Sequence, residues 1–181
     1  MTSIPTRPHA IEYSIGAKVL HWLTAAAVLT AISLGIAMLN LEGGPLQDQL
    51  FDLHRSFGAL ILALTAIRLI WRYFNAPPPL VPGLPVWQAK AARISHILLY
   101  VFLFAVPLVG WAATSAFGAP ISIFGMFELP PMLDKNKALS DIILPLHAGM
   151  ALTLAALLSV HIGAALHHHY IRKDETLRRM L

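Results

Sequence analysis

Four long apolar runs, separated by short stretches rich in charge, glycine and proline, make up most of the chain. The first is unbroken: 23 residues without a formal charge lie between Lys18 and Glu42. A helix needs about 20 apolar residues to cross the hydrocarbon core of a bilayer, so a first span is predicted over 17–39. The stretch 41–52 holds Glu42, Asp48 and Asp52 with two glycines and a proline, and reads as a polar loop. A second span is predicted over 51–74, although Arg55 and Arg68 interrupt it. Asn75–Val86 contains five prolines and cannot continue a helix, because each proline removes a backbone donor and clashes with the preceding turn. The third run has no charge between Arg93 and Glu128 and predicts a helix over 91–115, kinked at Pro107. The stretch 117–140 reads as a longer loop that caps one membrane face. The fourth helix is predicted over 141–170, before a basic tail. The pattern predicts an all-α fold, a four-helix transmembrane bundle forming one membrane domain over 1–181, with no internal repeat.

Composition sharpens this picture. The chain is 57% hydrophobic and 12% charged, about half the charged share of an ordinary soluble domain, so most of its surface is expected to face lipid. It has no cysteine, which excludes disulfides, thiolate-held iron–sulfur clusters and covalently attached c-type haem. No basic pattern with interleaved aromatics points to nucleic acid. The first apolar run is too long for a secretory signal and lacks a small-residue cleavage site. With four spans, both termini and the proline-rich loop lie on one side. That side carries Arg7, Lys18, Arg68, Arg72, Lys90, Arg93, Arg172, Lys173, Arg178 and Arg179; the other carries Arg55, Lys135 and Lys137, with six of the nine acids. The excess of positive charge predicts that both termini are cytoplasmic.

Histidines are the candidate chemistry. His147 and His161 share the fourth run, fourteen residues apart, which places them about 21 Å apart along one face of a helix. Ionisable groups inside a membrane are rare and usually turn to a bundle interior or a site. His21 matches His161 in depth, and His54 matches His147, leaving His96 without an outer counterpart. Two bis-histidine sites, one per leaflet, suit two six-coordinate haems, each taking one imidazole on either face. Zinc would want three or four protein ligands in one place, which two separated pairs do not provide. Ala17 and Ala25 around His21, Gly58 after His54, Ala148, Gly149 and Ala151 after His147, and Gly163, Ala164 and Ala165 after His161 would let a wide flat ligand lie close to the backbone. Small residues of this kind also simply allow helices to pack.

The ordered set LHW, LHRSFG, a proline-rich loop, RISHILLY, PLVGW, LHAG and VHIGAALHHHYIRKDETLRRM resembles the bacterial cytochrome b561 family over about residues 13–181. The resemblance implies a four-helix protein of the bacterial inner membrane holding two haem b groups and exchanging electrons with quinone, ubiquinone being the expected co-substrate. The family's haem-ligand motifs fall on His21, His54, His147 and His161. Some members oxidise superoxide. The proline-rich loop departs from relatives, which often place lysines just after its prolines where this chain has Gly83 and Pro85.

Arg68 lies fourteen residues after His54 and could pair with a haem propionate as a bidentate donor, or snorkel to the headgroups; Arg55 could serve the outer haem in the same way. His168, with Lys90, Arg93 and His96, could form a quinone pocket, since quinone carbonyls need hydrogen-bond donors and a proton source. His167 and His169 read as interfacial anchors. Two functions follow: an oxidoreductase passing electrons to quinone, with superoxide as a candidate donor, or a haem-bearing anchor that serves a partner dehydrogenase. A histidine-lined ion transporter is disfavoured, because no acid lies at the centre of a span.

Overall fold

A computed structural model describes residues 12–181; Arg7, part of the charge argument above, lies outside the described residues. Four helices long and apolar enough to cross a membrane account for most of the chain. Helix α1 spans Ile15–Leu39, α2 Pro45–Phe74, α3 Val86–Phe117 and α4 Lys137–His167. Strands β1, Ile121–Ile123, and β2, Phe127–Leu129, form a small antiparallel hairpin between α3 and α4. A π-helical turn, His168–Arg172, and a 3₁₀ turn, Arg178–Met180, follow α4.

Every helix starts earlier than the apolar runs indicate, because the capping chemistry lies outside them. The Ser14 side chain accepts the Ala17 N–H and opens α1, and Asn136 accepts the Leu139 N–H to open α4. The largest difference is at α2. Gly43 and Gly44 take positive φ, and Pro45 then occupies the first helical turn, where its missing N–H has no partner to lose. Asp48 sits in that same turn, where the helix dipole favours an anion. Two-thirds of the expected loop is therefore helix, with Gln47 donating to the free carbonyls of Met38 and Leu41 at the end of α1. Helix α3 likewise begins directly after Pro85, runs through Pro107, and closes on Gly118 at φ 86.

Helix α1 lies along α2, and α3 along α4; α2 and α3 meet over a shorter seam. The core runs through all four helices, from Ala27, Val28 and Ala31 through Ile61 and Leu99, Leu103 and Val106 to Leu154. Thr24 and Thr65 are fully buried beside it, and each hydroxyl donates to the carbonyl four residues back, so neither hydroxyl is stranded. Large apolar side chains on the outer faces are widely exposed, as a surface solvated by lipid requires.

The 117–140 stretch was expected to be a loop and instead contains the hairpin, pinned to α2. Ser56, 1% exposed, accepts the Phe124 N–H and lies 3.1 Å from the Ser122 carbonyl. Phe124 and Gly125 both take positive φ in the turn, the backbone that suits a tight hairpin. A phenylalanine there is strained by about 1–3 kcal/mol; the Ser56 contact and the edge-to-face packing of Phe124 on Phe57 offset it. Trp111 and Ser115 of α3 hold the return segment through the Pro130 carbonyl and the Met132 N–H.

Candidate functional site

At the hairpin end of the bundle, α2 and α4 bring His54 and His147 together. Their ring centres are 6.0 Å apart with planes at 88°. Each ring is held in the same manner. The His54 Nδ1 lies 2.9 Å from the Ala31 carbonyl on α1, and the His147 Nδ1 lies 3.0 Å from the Val106 carbonyl on α3. A carbonyl can only accept, so both Nδ1 atoms carry the proton and donate it, and both Nε2 atoms keep a free lone pair. Four residues beyond each carbonyl stands a glycine that makes room for the ring. A Cβ on Gly110 would come within 2.9 Å of His147 Cε1, and one on Gly35 within 3.3 Å of His54 Cε1.

A cavity of about 610 Å³ opens beside this pair, along the α2–α3 seam. Its walls are small on α2, at Gly58, Ala59, Ala63 and Ala66, and Gly110 contributes from α3; Arg55 lies at the rim. The Arg55 guanidinium is shared between the Asp52 carboxylate, at 3.0 Å, and the Pro120 carbonyl. None of the small residues of α4 that were expected to lie against a ligand lines this cavity. Gly149 and Gly163 are exposed, and a Cβ on either would meet nothing. With His147 turned onto the α3 backbone, residues one and two positions on are rotated about 100° and 200° away from it.

At the opposite end of the bundle, His21 and His161 have ring centres 6.4 Å apart, and His96 lies 5.5 Å from His161. Depth matching had left His96 unpaired; the structure makes this end a cluster of three. Arg68 turns inward onto that cluster. Its Nη2 lies 3.2 Å from the His21 Nδ1, and its guanidinium sits 5.5 Å over the Tyr100 ring. Lys90 and Arg93 are exposed, and no hydrogen bond ties them to His96 or His168 among the described residues.

His168 is held instead by Asp174, with Nδ1 2.6 Å from Oδ2. Arg172 donates to the same oxygen, and the Thr176 N–H to the other. Burial pushes the Asp174 carboxyl up, but hydrogen bonds from Thr176, His168 and Arg172 outweigh it and hold the group below the usual carboxylate range. Asp174, Gly35 and Gly110 are the site-forming residues that the sequence reading missed. The signal for Asp174 was an acid two residues before a threonine, a turn pattern, in an otherwise basic tail.

Two imidazole pairs thus lie at opposite ends of one four-helix membrane bundle, and ionisable groups so placed mark a functional site in a membrane protein. The family model for prokaryotic cytochrome b561 matches residues 12–181, and the chain belongs to that family. It is 36% identical over 174 residues to cytochrome b561 homolog 2 of Escherichia coli (strain K12), covering 94% of this chain and 91% of the relative. It is 35% identical over 167 residues to homolog 1 of the same strain, covering 90% and 92%. It is also 30% identical over 162 residues to a Yersinia pestis protein named probable superoxide oxidase CybB, covering 90% and 91%. The family carries out membrane electron transfer and implies b-type haem.

The residues present fit such a group. With metal–imidazole bonds of about 2 Å and roughly 1 Å from each nitrogen to its ring centre, two imidazoles that share one metal can stand up to about 6 Å apart. Both pairs meet that spacing. The hairpin-end cavity also falls within the roughly 300–1,000 Å³ usual for ligand sites, and both its imidazoles present Nε2. At the other end Arg68 donates to His21 Nδ1, so the proton of that ring stands on Nε2. Ligation there requires Arg68 to release the ring.

Proposed function

We propose that the chain, acting as one domain over 1–181, is a di-haem b protein that carries electrons from a donor on the periplasmic side to quinone on the cytoplasmic side of the bacterial inner membrane. Its termini are assigned to the cytoplasm by the charge asymmetry of the loops. His54 and His147 would hold the outer haem, and His21 and His161 the inner one. When bound, each haem supplies a one-electron iron couple. The observation that carries this reading is the double pairing, two sets of imidazoles at about the same separation at opposite ends of one bundle.

The protein's own groups supply orientation and charge. The Ala31 and Val106 carbonyls fix the imidazole tautomers and raise their basicity as ligands. Arg55, at the cavity rim, is placed to meet an anionic group on a bound ligand, and Arg68 serves the inner end. The quinone end is assigned to His96 and His168, with ubiquinone as co-substrate; Lys90 and Arg93 remain on the surface beside it and would act through their charge. Superoxide is the proposed donor. Lys137 is paired with Asp141 at 2.8 Å and Arg55 with Asp52 at 3.0 Å, so Lys135 carries most of the local positive field that would collect an anion.

A second reading has support in one feature. Phe124, Met126 and Phe127 are exposed at the hairpin, an apolar tip over the outer site that would suit a docked dehydrogenase, with the chain as its haem-bearing anchor. Stopped-flow absorbance separates the two. Haem reduction by superoxide in the purified protein supports the oxidoreductase; reduction only after a dehydrogenase is added supports the anchor.

A further inference from the structure

The C-terminal segment does more than end the chain. Beyond α4 the backbone widens into the π-helical turn His168–Arg172 and then reverses at Lys173, which takes φ 55. Both the Lys173 and the Asp174 N–H groups return to the His168 carbonyl. The chain is thus wrapped around the residue assigned to the quinone, and π turns of this kind are concentrated at functional sites. The reversal delivers Asp174 to the His168 ring at 2.6 Å, with both side chains largely buried, at 14% and 19% exposure.

The segment is held there from three sides. Arg172 donates to Asp174 Oδ2 and reaches the Gly83 carbonyl of the proline-rich loop. Arg179 donates to the Pro79 carbonyl of the same loop at 2.7 Å, and Trp22 of α1 donates to the Met180 carbonyl. Asp174 accepts from His168, Arg172 and Thr176 together, so it remains an ionised acceptor and cannot serve as the proton donor. Its hydrogen bond fixes the proton of His168 on Nδ1, which leaves Nε2 as the nitrogen available to a substrate.

We propose that Asp174 is the positioning residue for quinone reduction: its carboxylate locks the His168 tautomer and ring so that Nε2 exchanges the proton with the quinone carbonyl. This rests on the assignment of His168 to the quinone site. The quinone takes up two electrons, which come from the periplasmic donor, and two protons from the cytoplasm. In the step assigned to His168, the Nε2–H bond of the doubly protonated ring breaks and an O–H bond forms on the quinone oxygen. The neutral ring keeps its Nδ1–H on Asp174 and regains a proton at Nε2 from cytoplasmic water. Asp174 keeps its charge throughout.

The test uses the haem-loaded protein in detergent, reduced with stoichiometric dithionite and mixed with a short-chain ubiquinone, with haem reoxidation followed by stopped-flow absorbance. Asp174→Asn keeps an acceptor for the Thr176 N–H but gives up the charged acceptor of His168 and Arg172; the His168→Ala background separates loss of ring positioning from loss of the segment's structure. The proposal predicts reoxidation slower by about tenfold or more at saturating quinone, with haem content and the rate of haem reduction unchanged. In a His168→Ala background, Asp174→Asn should bring no further loss. A wild-type rate for Asp174→Asn beside a slow His168→Ala would overturn the role of Asp174 alone. A wild-type rate for His168→Ala would overturn the quinone-site assignment and this role with it. Equal slowing by Asp174→Asn with and without His168 would show that Asp174 acts by another route, and would also overturn the proposal.

Discussion

The two glycines beside the hairpin-end histidines do the same job with different margins. A Cβ on Gly110 would stand 2.9 Å from the His147 ring, and one on Gly35 would stand 3.3 Å from that of His54. The His147 ring cannot simply swing aside, because its Nδ1–H is committed to the Val106 carbonyl, and leaving that buried donor unpaired costs about 1–3 kcal/mol. Gly110→Ala is therefore expected to empty the hairpin-end site, leaving about half of the wild-type haem. Gly35→Ala, where a shift of a few tenths of an ångström suffices, is expected to retain nearly all of it. Haem-to-protein ratios from pyridine haemochrome spectra check both; equal losses in the two variants would contradict the tautomer-and-space account. The histidines themselves were legible from spacing and depth. The glycines and their carbonyls were not, because which backbone faces each ring depends on the rotation of a neighbouring helix, and no single helix encodes that.

At the scale of elements, the apolar runs gave the four spans, whereas the hairpin stayed hidden. Ile121–Ile123 does alternate, but three residues are too few to distinguish a strand from a loop, and Phe124 is a poor advertisement for a positive-φ turn. The buried Ser56 hydroxyl and the Phe57 ring hold it in place. Ser56→Ala leaves the Phe124 N–H without its acceptor, and local stability is expected to fall by about 1–3 kcal/mol. Limited proteolysis from the hairpin side should then cut within 119–129 faster than in wild type, with haem content unchanged. The C-terminal segment offers a separate test by pH. The folded Asp174 carboxyl titrates below its unfolded value, so its stabilisation is complete above the ordinary carboxylate range, near pH 4. It is lost as the pH falls through the lower folded value. Amide-exchange protection over 174–181 should hold from neutral pH to about pH 4 and disappear only below that. Asp174→Ala should lack that protection throughout. The Asp174–His168 contact was illegible for a stated reason: it depends on a π turn and on a lysine at φ 55, neither of which side-chain periodicity announces.

Across the whole molecule the two ends are unequal. The hairpin end has a cavity, two fixed tautomers and an arginine at its rim. The other end has three clustered histidines and an arginine bound to one of them. Depth matching assigns His21, rather than His96, as the partner of His161, although His96 lies nearer. His21→Ala should then remove the inner haem while His96→Ala leaves two haems in place and slows only reoxidation by quinone. Visible spectra of the two variants decide between these partners.

Two haems, each between one histidine pair, are the expected content of the four-helix bundle. The most direct measurement is the count of non-covalent haem b per chain in the purified protein, by pyridine haemochrome against amino-acid analysis, for wild type, His54→Ala and His161→Ala. The account predicts two in the wild type and one in each variant, the remaining haem showing a different reduced spectrum in each. One haem in the wild type, or two in either variant, would contradict it.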